Sequence, residues 1–150
     1  MKRRSSIRLS RRHEWFAYAV GASVFATGAA WAWLHYLGAS PNEFGGPSPA
    51  ESWMLRAHGA TAIVVLVFLG TLLPLHVKFA WRAGRNLRTG LSLLGLFGFL
   101  VLTGYGLYYA GGERLRSWIS AAHLWVGLAL PLIMLLHVWR GKRTRPSAER

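Results

Sequence analysis

Histidine is the residue type in this sequence with the greatest capacity for chemistry. The six histidines are His13, His35, His58, His76, His123 and His137. Several of them stand in long apolar stretches, such as AAHLWVGLALPLIMLLHVWRG over residues 121–141. An ionisable side chain in such a stretch is costly unless something binds it. Because the neutral imidazole is a common metal ligand, the pattern indicates metal ligation.

The histidines form pairs along the second and fourth apolar runs. His123 and His137 are fourteen residues apart, roughly 21 Å along a helix, and His58 and His76 are eighteen apart, roughly 27 Å. Fourteen residues fall about 40° short of four helical turns, and eighteen residues make five turns. The two histidines of each helix therefore project from nearly the same face of that helix. Two such helices could clamp two planar cofactors, one above the other, as helix bundles clamp b-type haems between axial histidines.

Two histidines compete to complete the deeper site. A straight second helix would place His76 about 6 Å deeper than His137. A tilt or a kink at Pro74 would absorb part of that difference. The alternative is His13, in RRHEWF at the start of the first apolar run. We favour His76 over His13. The predicted ligand set is therefore His58, His123, His76 and His137.

Other kinds of metal site fit the sequence less well. The two histidines of each helix are roughly 20 Å or more apart, whereas zinc, copper and non-haem iron sites bring their ligands together. The chain has no cysteine, which excludes disulfides, iron–sulfur clusters and c-type haem attachment. The apolar runs hold no carboxylate, which argues against a proton pump or cation transporter. His35, in WLHYLG, is expected to be an interfacial residue.

Four apolar runs predict the elements that position these histidines. They cover residues 15–37, 57–77, 91–110 and 118–139, and none contains Asp, Glu, Lys or Arg. Helices of about 20 residues or more are long enough to cross the hydrocarbon of a membrane. With 53% hydrophobic residues, the chain is predicted to be all-α, an integral membrane four-helix bundle. The first run is too long for a cleavable signal peptide.

The basic residues predict the orientation of the four helices. The net charge is +13, and 15 of the 18 lysines and arginines fall in the two tails and the connection after the second helix. These segments share one side of a four-pass chain, so the positive-inside rule places both termini in the cytoplasm. The excess charge then faces membrane lipids with anionic headgroups, and nucleic acid is not expected as a partner.

The predicted organisation is one membrane domain between two tails. Residues 1–14 are predicted to form a basic cytoplasmic tail and residues 15–140 the four-helix domain. Residues 141–150 form a second basic tail, which is expected to be disordered. Between the helices, residues 38–52 are predicted to be an irregular linker and residues 111–117 a tight turn.

Three motifs resemble those of a known family: LRAHGA opening the second helix, LTGYGLYY ending the third, and AAHLWVG with LLHVWRG in the fourth. They make the chain similar to the bacterial di-haem cytochrome b membrane proteins, such as the membrane subunits of formate dehydrogenase and hydrogenase. The resemblance covers about residues 13–141 and depends chiefly on the spacing of His123 and His137. It implies that these two histidines each bind one of two haems, and that His58 completes the outer one.

For the inner haem, the resemblance implies a histidine either at the start of the first helix, here His13, or at the end of the second, here His76. The predicted function is that of a di-haem b cytochrome. It would pass electrons across the inner membrane between the quinone pool and a periplasmic or membrane redox protein. Whether the chain is itself an enzyme is left open. The alternatives are a haem-free tetraspan anchor or assembly subunit, and a quinol-dependent reductase of a small acceptor.

Residues of three further kinds are candidates for the surroundings of the cofactors. Small residues let a porphyrin approach the backbone, although they also serve helix packing; these are Gly59, Gly70, Gly95, Gly98 and Gly127. Basic residues could reach haem propionates; these are Arg56, Arg114 and Arg116 at the outer side and Lys78, Arg82 and Arg140 at the inner side. The stretch LTGYGLYYAGG could line a quinone pocket, although tyrosine is expected at a membrane boundary in any case.

Overall fold

A computed structural model describes residues 10–38, 42, 45–84 and 86–143 of the chain. Over these residues all the regular elements are helices. They are α1 (Arg11–Trp33), α2 (Pro49–Leu72), α3 (Lys78–Ala83), α4 (Leu87–Tyr109) and α5 (Glu113–Arg143). π-helical turns continue α1 over Leu34–Gly38 and α2 over Leu73–Val77. Most of the two predicted tails, residues 1–14 and 141–150, lies outside the described residues.

The predicted all-α class is confirmed over the part of the chain that the structure describes. Four of its helices are long and apolar enough to cross a membrane: Arg11–Gly38, Pro49–Leu72, Leu87–Tyr109 and Glu113–Arg143. Large apolar side chains lie on their surfaces, with Leu102 73% and Tyr108 84% exposed. Among the described residues only Glu51 is buried. The helices therefore present the apolar exterior that suits lipid better than water.

The chain forms two compact units, which we describe separately, and the division falls within α3, between Phe79 and Ala80. In the first, which we call the first helix pair, α1 and α2 pack antiparallel. Their contacts run from His35 with Glu51 at one end to Phe16 with Phe68 at the other. In the second helix pair, α4 and α5 are also antiparallel.

The start of α2 is set by Ser48, whose hydroxyl accepts a hydrogen bond from the Glu51 amide, and by Pro49 at the first helical position. Ser and Pro are favoured at these two positions of a helix start. The helix consequently begins eight residues before the predicted start of the apolar run. The irregular linker predicted over residues 38–52 was too long, because the Ser48–Glu51 capping signal lies inside it.

In the second helix pair, small or polar residues lie just before α4 and in the connection between α4 and α5. Before α4, Gly84 and Asn86 adopt left-handed backbone conformations, with φ of 63° and 53°. After α4, the helix α5 already starts at Glu113, so the predicted turn over residues 111–117 was also too long. The Arg116 guanidinium donates to the carbonyl of Leu107, satisfying a group at the end of α4.

A π-helical turn over Leu73–Val77 ends the second apolar run, and both Pro74 and His76 lie in it. A proline removes one helical hydrogen bond, and a π turn accommodates that irregularity. The five-turn relation between His58 and His76 supposed regular α-helical geometry, and the departure that the sequence allowed at Pro74 takes the form of a π-helical turn. The regular rotation of 100° per residue does not extend over the last turn before His76.

Candidate functional site

His58 of α2 is held by two neighbouring turns of α1. Its Nδ1 lies 2.9 Å from the carbonyl oxygen of Val24 and 3.3 Å from the hydroxyl of Thr27. The ring packs on Gly28 so closely that a Cβ there would lie 2.9 Å from Cε1 of His58. Since a carbonyl only accepts hydrogen bonds, Nδ1 of His58 carries the proton and Nε2 carries the lone pair.

His123 of α5 is held by α4 in the same manner. Its Nδ1 lies 2.8 Å from the hydroxyl of Thr103, and a Cβ on Gly104 would lie 3.3 Å from Cε1. The Thr103 hydroxyl has one hydrogen, which it donates to the carbonyl of Phe99 at 2.8 Å. It therefore accepts from Nδ1–H of His123, whose lone pair is again on Nε2.

His137 shows the arrangement a third time, near the other end of α4. Its Nδ1 lies 2.9 Å from the hydroxyl of Thr89, and a Cβ on Gly90 would lie 3.5 Å from its Cε1. Thr89 in turn donates to the side-chain oxygen of Asn86 at 2.6 Å, and the amide nitrogen of Asn86 donates to the carbonyl of His137 at 2.9 Å. The Asn86 amide nitrogen also lies 3.2 Å from Nδ1 of His137, so this ring nitrogen lies between the Thr89 hydroxyl and the Asn86 amide.

The three histidines share one local structure, which we call the Thr-Gly cradle. It consists of a Thr-Gly dipeptide on the antiparallel neighbouring helix, with the threonine near Nδ1 and the glycine beneath the ring. The dipeptide occurs three times in the chain, and each copy receives one histidine. On α4 the two threonines are fourteen residues apart, as are the two histidines on α5. The fourteen-residue spacing is therefore present on both helices of the second pair.

The cradle has a definite chemical consequence. A histidine whose Nδ1–H donates to an oxygen is fixed in one tautomer and one orientation, and its ligand lone pair is on Nε2. Metal-binding histidines characteristically have this kind of support. The three side chains are also half-buried within their helix pairs. The residues present thus fit the role of axial ligands to a haem iron.

The two candidates for the fourth ligand have different surroundings. His13 is exposed in the first turn of α1, and its Nδ1 lies 2.6 Å from the hydroxyl of Ser10. His13 lies fourteen residues before Thr27 on α1. The same separation is found between Thr89 and Thr103, the threonines of the two cradles on α4. His76 is half-buried in the π-helical turn that follows α2.

Several predicted neighbours of the cofactors have other contacts. Arg116 binds the carbonyl of Leu107, and the Arg56 guanidinium lies 5.1 Å from the ring centre of Trp53. The predicted glycines are not those of the cradles. A Cβ on Gly95 would meet no described atom within 4 Å outside its own stretch of helix, and one on Gly127 would meet only Leu100.

Among the described residues, no three His, Cys, Asp or Glu side chains gather into a metal-binding group. A haem site does not need such a group, because the porphyrin supplies the remaining ligands and the protein only the axial ones. No protein-family model, curated protein or solved structure matches this chain. The case for the site consequently depends on its own geometry.

Two features of the site were not anticipated from the sequence. The first is the cradle, which the three Thr-Gly dipeptides and their fourteen-residue spacing could have indicated. The second is an ion-pairing contact between His35 and Glu51, whose Nδ1 and Oε1 are 2.6 Å apart. The two residues are separated by an irregular connection, and the only signal for Glu51 was its place in the helix-start motif after Ser48.

Proposed function

We propose that the chain is a b-type di-haem cytochrome of the bacterial inner membrane. It passes electrons between the quinone pool and a redox protein. His58 and His123 hold the outer haem, and His137 with His13 or His76 holds the inner one. When bound, the haem irons supply one-electron redox chemistry. The chain supplies the ligands, their orientation and an apolar surrounding, and the observation that carries the proposal is the threefold Thr-Gly cradle.

The threefold arrangement supports ligation better than three separate packing roles would. A histidine that only fills space has no need for the same threonine and glycine contacts as two others. Here the cradle recurs in both helix pairs, at His58 in one and at His123 and His137 in the other. At His58 and His123 the contact at Nδ1 leaves the lone pair on Nε2, which is the nitrogen that axial ligation needs.

We propose His13, in preference to His76, as the ligand that the first helix pair provides to the inner haem. The two proposed ligands on α5 are fourteen residues apart, or about 21 Å along the helix axis. Two stacked haems therefore need two ligands from the first helix pair whose positions along the helix axes also differ by about 21 Å. His13 lies that distance along α1 from Thr27, which contacts His58. Within its own helix start, the hydroxyl of Ser10 lies 2.6 Å from Nδ1 of His13. His76 stays the competing ligand.

The proposed topology places both termini in the cytoplasm, since most of the positive charge then lies on the cytoplasmic side. The outer haem, at His58 and His123, is then near the periplasmic ends of α2 and α5. A redox partner at that face and quinone dissolved in the bilayer both have a route to the haems.

A reduced-minus-oxidised optical spectrum with pyridine haemochrome quantification tests the proposal. We expect a b-type α band and about two haems per chain. His58→Ala and His123→Ala should each remove the same one haem, whereas His137→Ala should remove the other. His35→Gln is the matched control, because this histidine is not a proposed ligand, and it should keep both haems. A chain without haem, produced with ample haem supply, would contradict the proposal and favour the anchor function.

The same spectra decide between the two candidates for the fourth ligand. We expect His13→Ala to lose the inner haem and His76→Ala to keep it. The reverse result would assign the ligand to the π-helical turn after α2 and leave the cytochrome function intact.

A further inference from the structure

A histidine–glutamate pair joins α1 to α2 at the end of the first helix pair that carries the π-helical turn Leu34–Gly38. The Nδ1 of His35 lies 2.6 Å from Oε1 of Glu51. Glu51 is the one buried residue of the described chain, whereas the His35 side chain is 44% exposed. Since a carboxylate accepts the bond, Nδ1 of His35 donates, and Nε2 is the nitrogen that can take up a proton.

The surroundings of the pair favour a flat, neutral ligand. The Trp31 ring stacks on the His35 imidazole at 4.8 Å and 14°, and the Tyr36 ring meets it edge-on at 4.7 Å. These rings offer an aromatic surface to a planar molecule. Before it takes up a proton the imidazole is neutral, so the pair carries the single negative charge of the Glu51 carboxylate, and the Arg56 guanidinium lies over the ring of Trp53. The site therefore suits a neutral hydroxyl group better than a phosphate anion.

The pair also lies about two helical turns from His58, the proposed ligand of the outer haem. Glu51 lies seven residues before His58 on α2, and His35 lies seven residues after Gly28. Within α2, seven residues make about two helical turns, or roughly 10 Å, and bring Glu51 to nearly the same helix face as His58. The pair thus continues the contact line on which the His58 ring meets Gly28.

We propose that His35 and Glu51 form a quinol-oxidising site, with His35 as the proton acceptor and Glu51 as its positioning residue. This inference rests on the proposed cytochrome function, which supplies the one-electron acceptor in the neighbouring haem iron. In each of two steps an O–H bond of the quinol breaks, its proton goes to Nε2 of His35, and its electron leaves to that acceptor. His35 releases each proton to water at the exposed side, and two steps yield quinone, two protons and two electrons.

The imidazolium formed in each step is stabilised by the Glu51 carboxylate at Nδ1, and the fixed ring presents Nε2 to the ligand. A positioned acid–base group typically contributes about 100-fold or more to a rate. Histidine is the residue type best suited to take and release protons near neutral pH.

The experiment uses purified protein with its haems in lipid nanodiscs, after the spectrum has established that haem is present. Decylubiquinol is added, and the initial rate of haem reduction is compared with full reduction by dithionite. The key variant is His35→Gln, whose amide still donates to Glu51 but cannot accept a proton. We expect the quinol-driven rate to fall about 100-fold or more, with haem content and the dithionite spectrum unchanged.

A binding measurement gives a second readout that does not depend on turnover. Equilibrium dialysis with oxidised decylubiquinone should show at least tenfold weaker binding to His35→Ala than to the unaltered chain. For Glu51→Gln we expect slower reduction of the haems by quinol with little change in decylubiquinone binding, because the carboxylate that stabilises the imidazolium formed at His35 is lost while the contacts with the ligand remain. Glu113→Gln, which neutralises an exposed carboxylate at the start of α5, is the matched control and should change none of these values.

Three results would overturn the inference although the unaltered chain binds its haems. The first is a His35→Gln variant that quinol reduces at the original rate. The second is a haem-loaded chain that quinol does not reduce at all. The third is loss of haem from His35→Gln, which would show that the pair only ties α1 to α2. A chain without haem would instead remove the proposed function and this inference together.

Discussion

At the residue scale, the atom that matters most is Nδ1 of each candidate ligand. At His123 it donates to the hydroxyl of Thr103, whereas at His58 it donates to the backbone carbonyl of Val24. A side-chain acceptor can be removed by mutation, but a carbonyl cannot. The threonines are therefore the places where the properties of the proposed haems can be adjusted one residue at a time.

Thr103→Val tests this adjustment. The hydrogen bond from Nδ1–H increases the electron donation of His123 and so favours ferric iron. Its loss should raise the potential of the outer haem by about 20–40 mV, the equivalent of roughly 0.5–1 kcal/mol. A spectroelectrochemical titration measures the shift.

Thr71→Val is the matched control for this titration, because the Thr71 hydroxyl donates to the Phe68 carbonyl on an exposed part of α2. It should leave both potentials unchanged. An equal shift in the two variants, or no shift in Thr103→Val, would show that Thr103 does not act through an iron ligand.

At the element scale, each antiparallel pair is held close where a glycine meets a histidine ring. The contact is tightest at Gly28, looser at Gly104 and loosest at Gly90, where an added Cβ would lie 2.9, 3.3 and 3.5 Å from the respective Cε1 atoms. The His58 ring cannot simply swing away from Gly28, because that movement would break its bond to Val24. Helix spacing and ligand orientation are therefore coupled.

A series of Gly→Ala variants measures this coupling. Gly28→Ala should lose or weaken the outer haem and destabilise the protein by about 1–3 kcal/mol. Gly104→Ala should have a smaller effect and Gly90→Ala little effect. Alanine is the better helix former by about 1 kcal/mol, so any loss comes from the contact and not from a weaker helix.

Gly21→Ala is the control of the series, since a Cβ there would meet no described atom within 4 Å outside its own stretch of helix. It should keep both haems and slightly raise the melting temperature. Thermal unfolding followed at the Soret band gives both quantities. If all four variants behaved alike, the glycine contacts would have no special role at the histidines.

At the scale of the whole molecule, the charge distribution determines how the four apolar helices are expected to insert. In a four-pass chain, the three segments that hold most of the lysines and arginines would share one side, and the other side would hold Arg56, Arg114 and Arg116. Basic residues are retained on the cytoplasmic side of a bacterial membrane. Both termini are therefore expected to be cytoplasmic.

Cysteine labelling tests this orientation cleanly because the chain has no cysteine of its own. Asn42→Cys, between α1 and α2, should react with a membrane-impermeant maleimide in spheroplasts. Lys142→Cys, near the end of α5, should react only after the membrane is permeabilised. Labelling in the opposite pattern would invert the topology, and equal labelling at both positions in intact spheroplasts would contradict an even number of spans.

The sequence by itself determined the helical class, the four apolar helices and the histidines worth testing. These follow from residue type, run length and spacing, which are properties of the chain taken in order. It missed the early start of α2 because Ser48 and Glu51 act through backbone capping, not through hydropathy. It identified Pro74 as the place where a kink would alter the spacing of His58 and His76, but it did not give the form of that irregularity, which is a π-helical turn over Leu73–Val77.

Only the tertiary structure decided which side chains meet across each antiparallel pair. Spacing along one helix gives the face and depth of a histidine, but its hydrogen-bond acceptors belong to the neighbouring helix. The Thr-Gly cradles of His58, His123 and His137 became visible only when α1 was packed against α2 and α4 against α5. The same holds for His35 and Glu51, because sixteen residues of chain separate them and the antiparallel packing brings them to 2.6 Å.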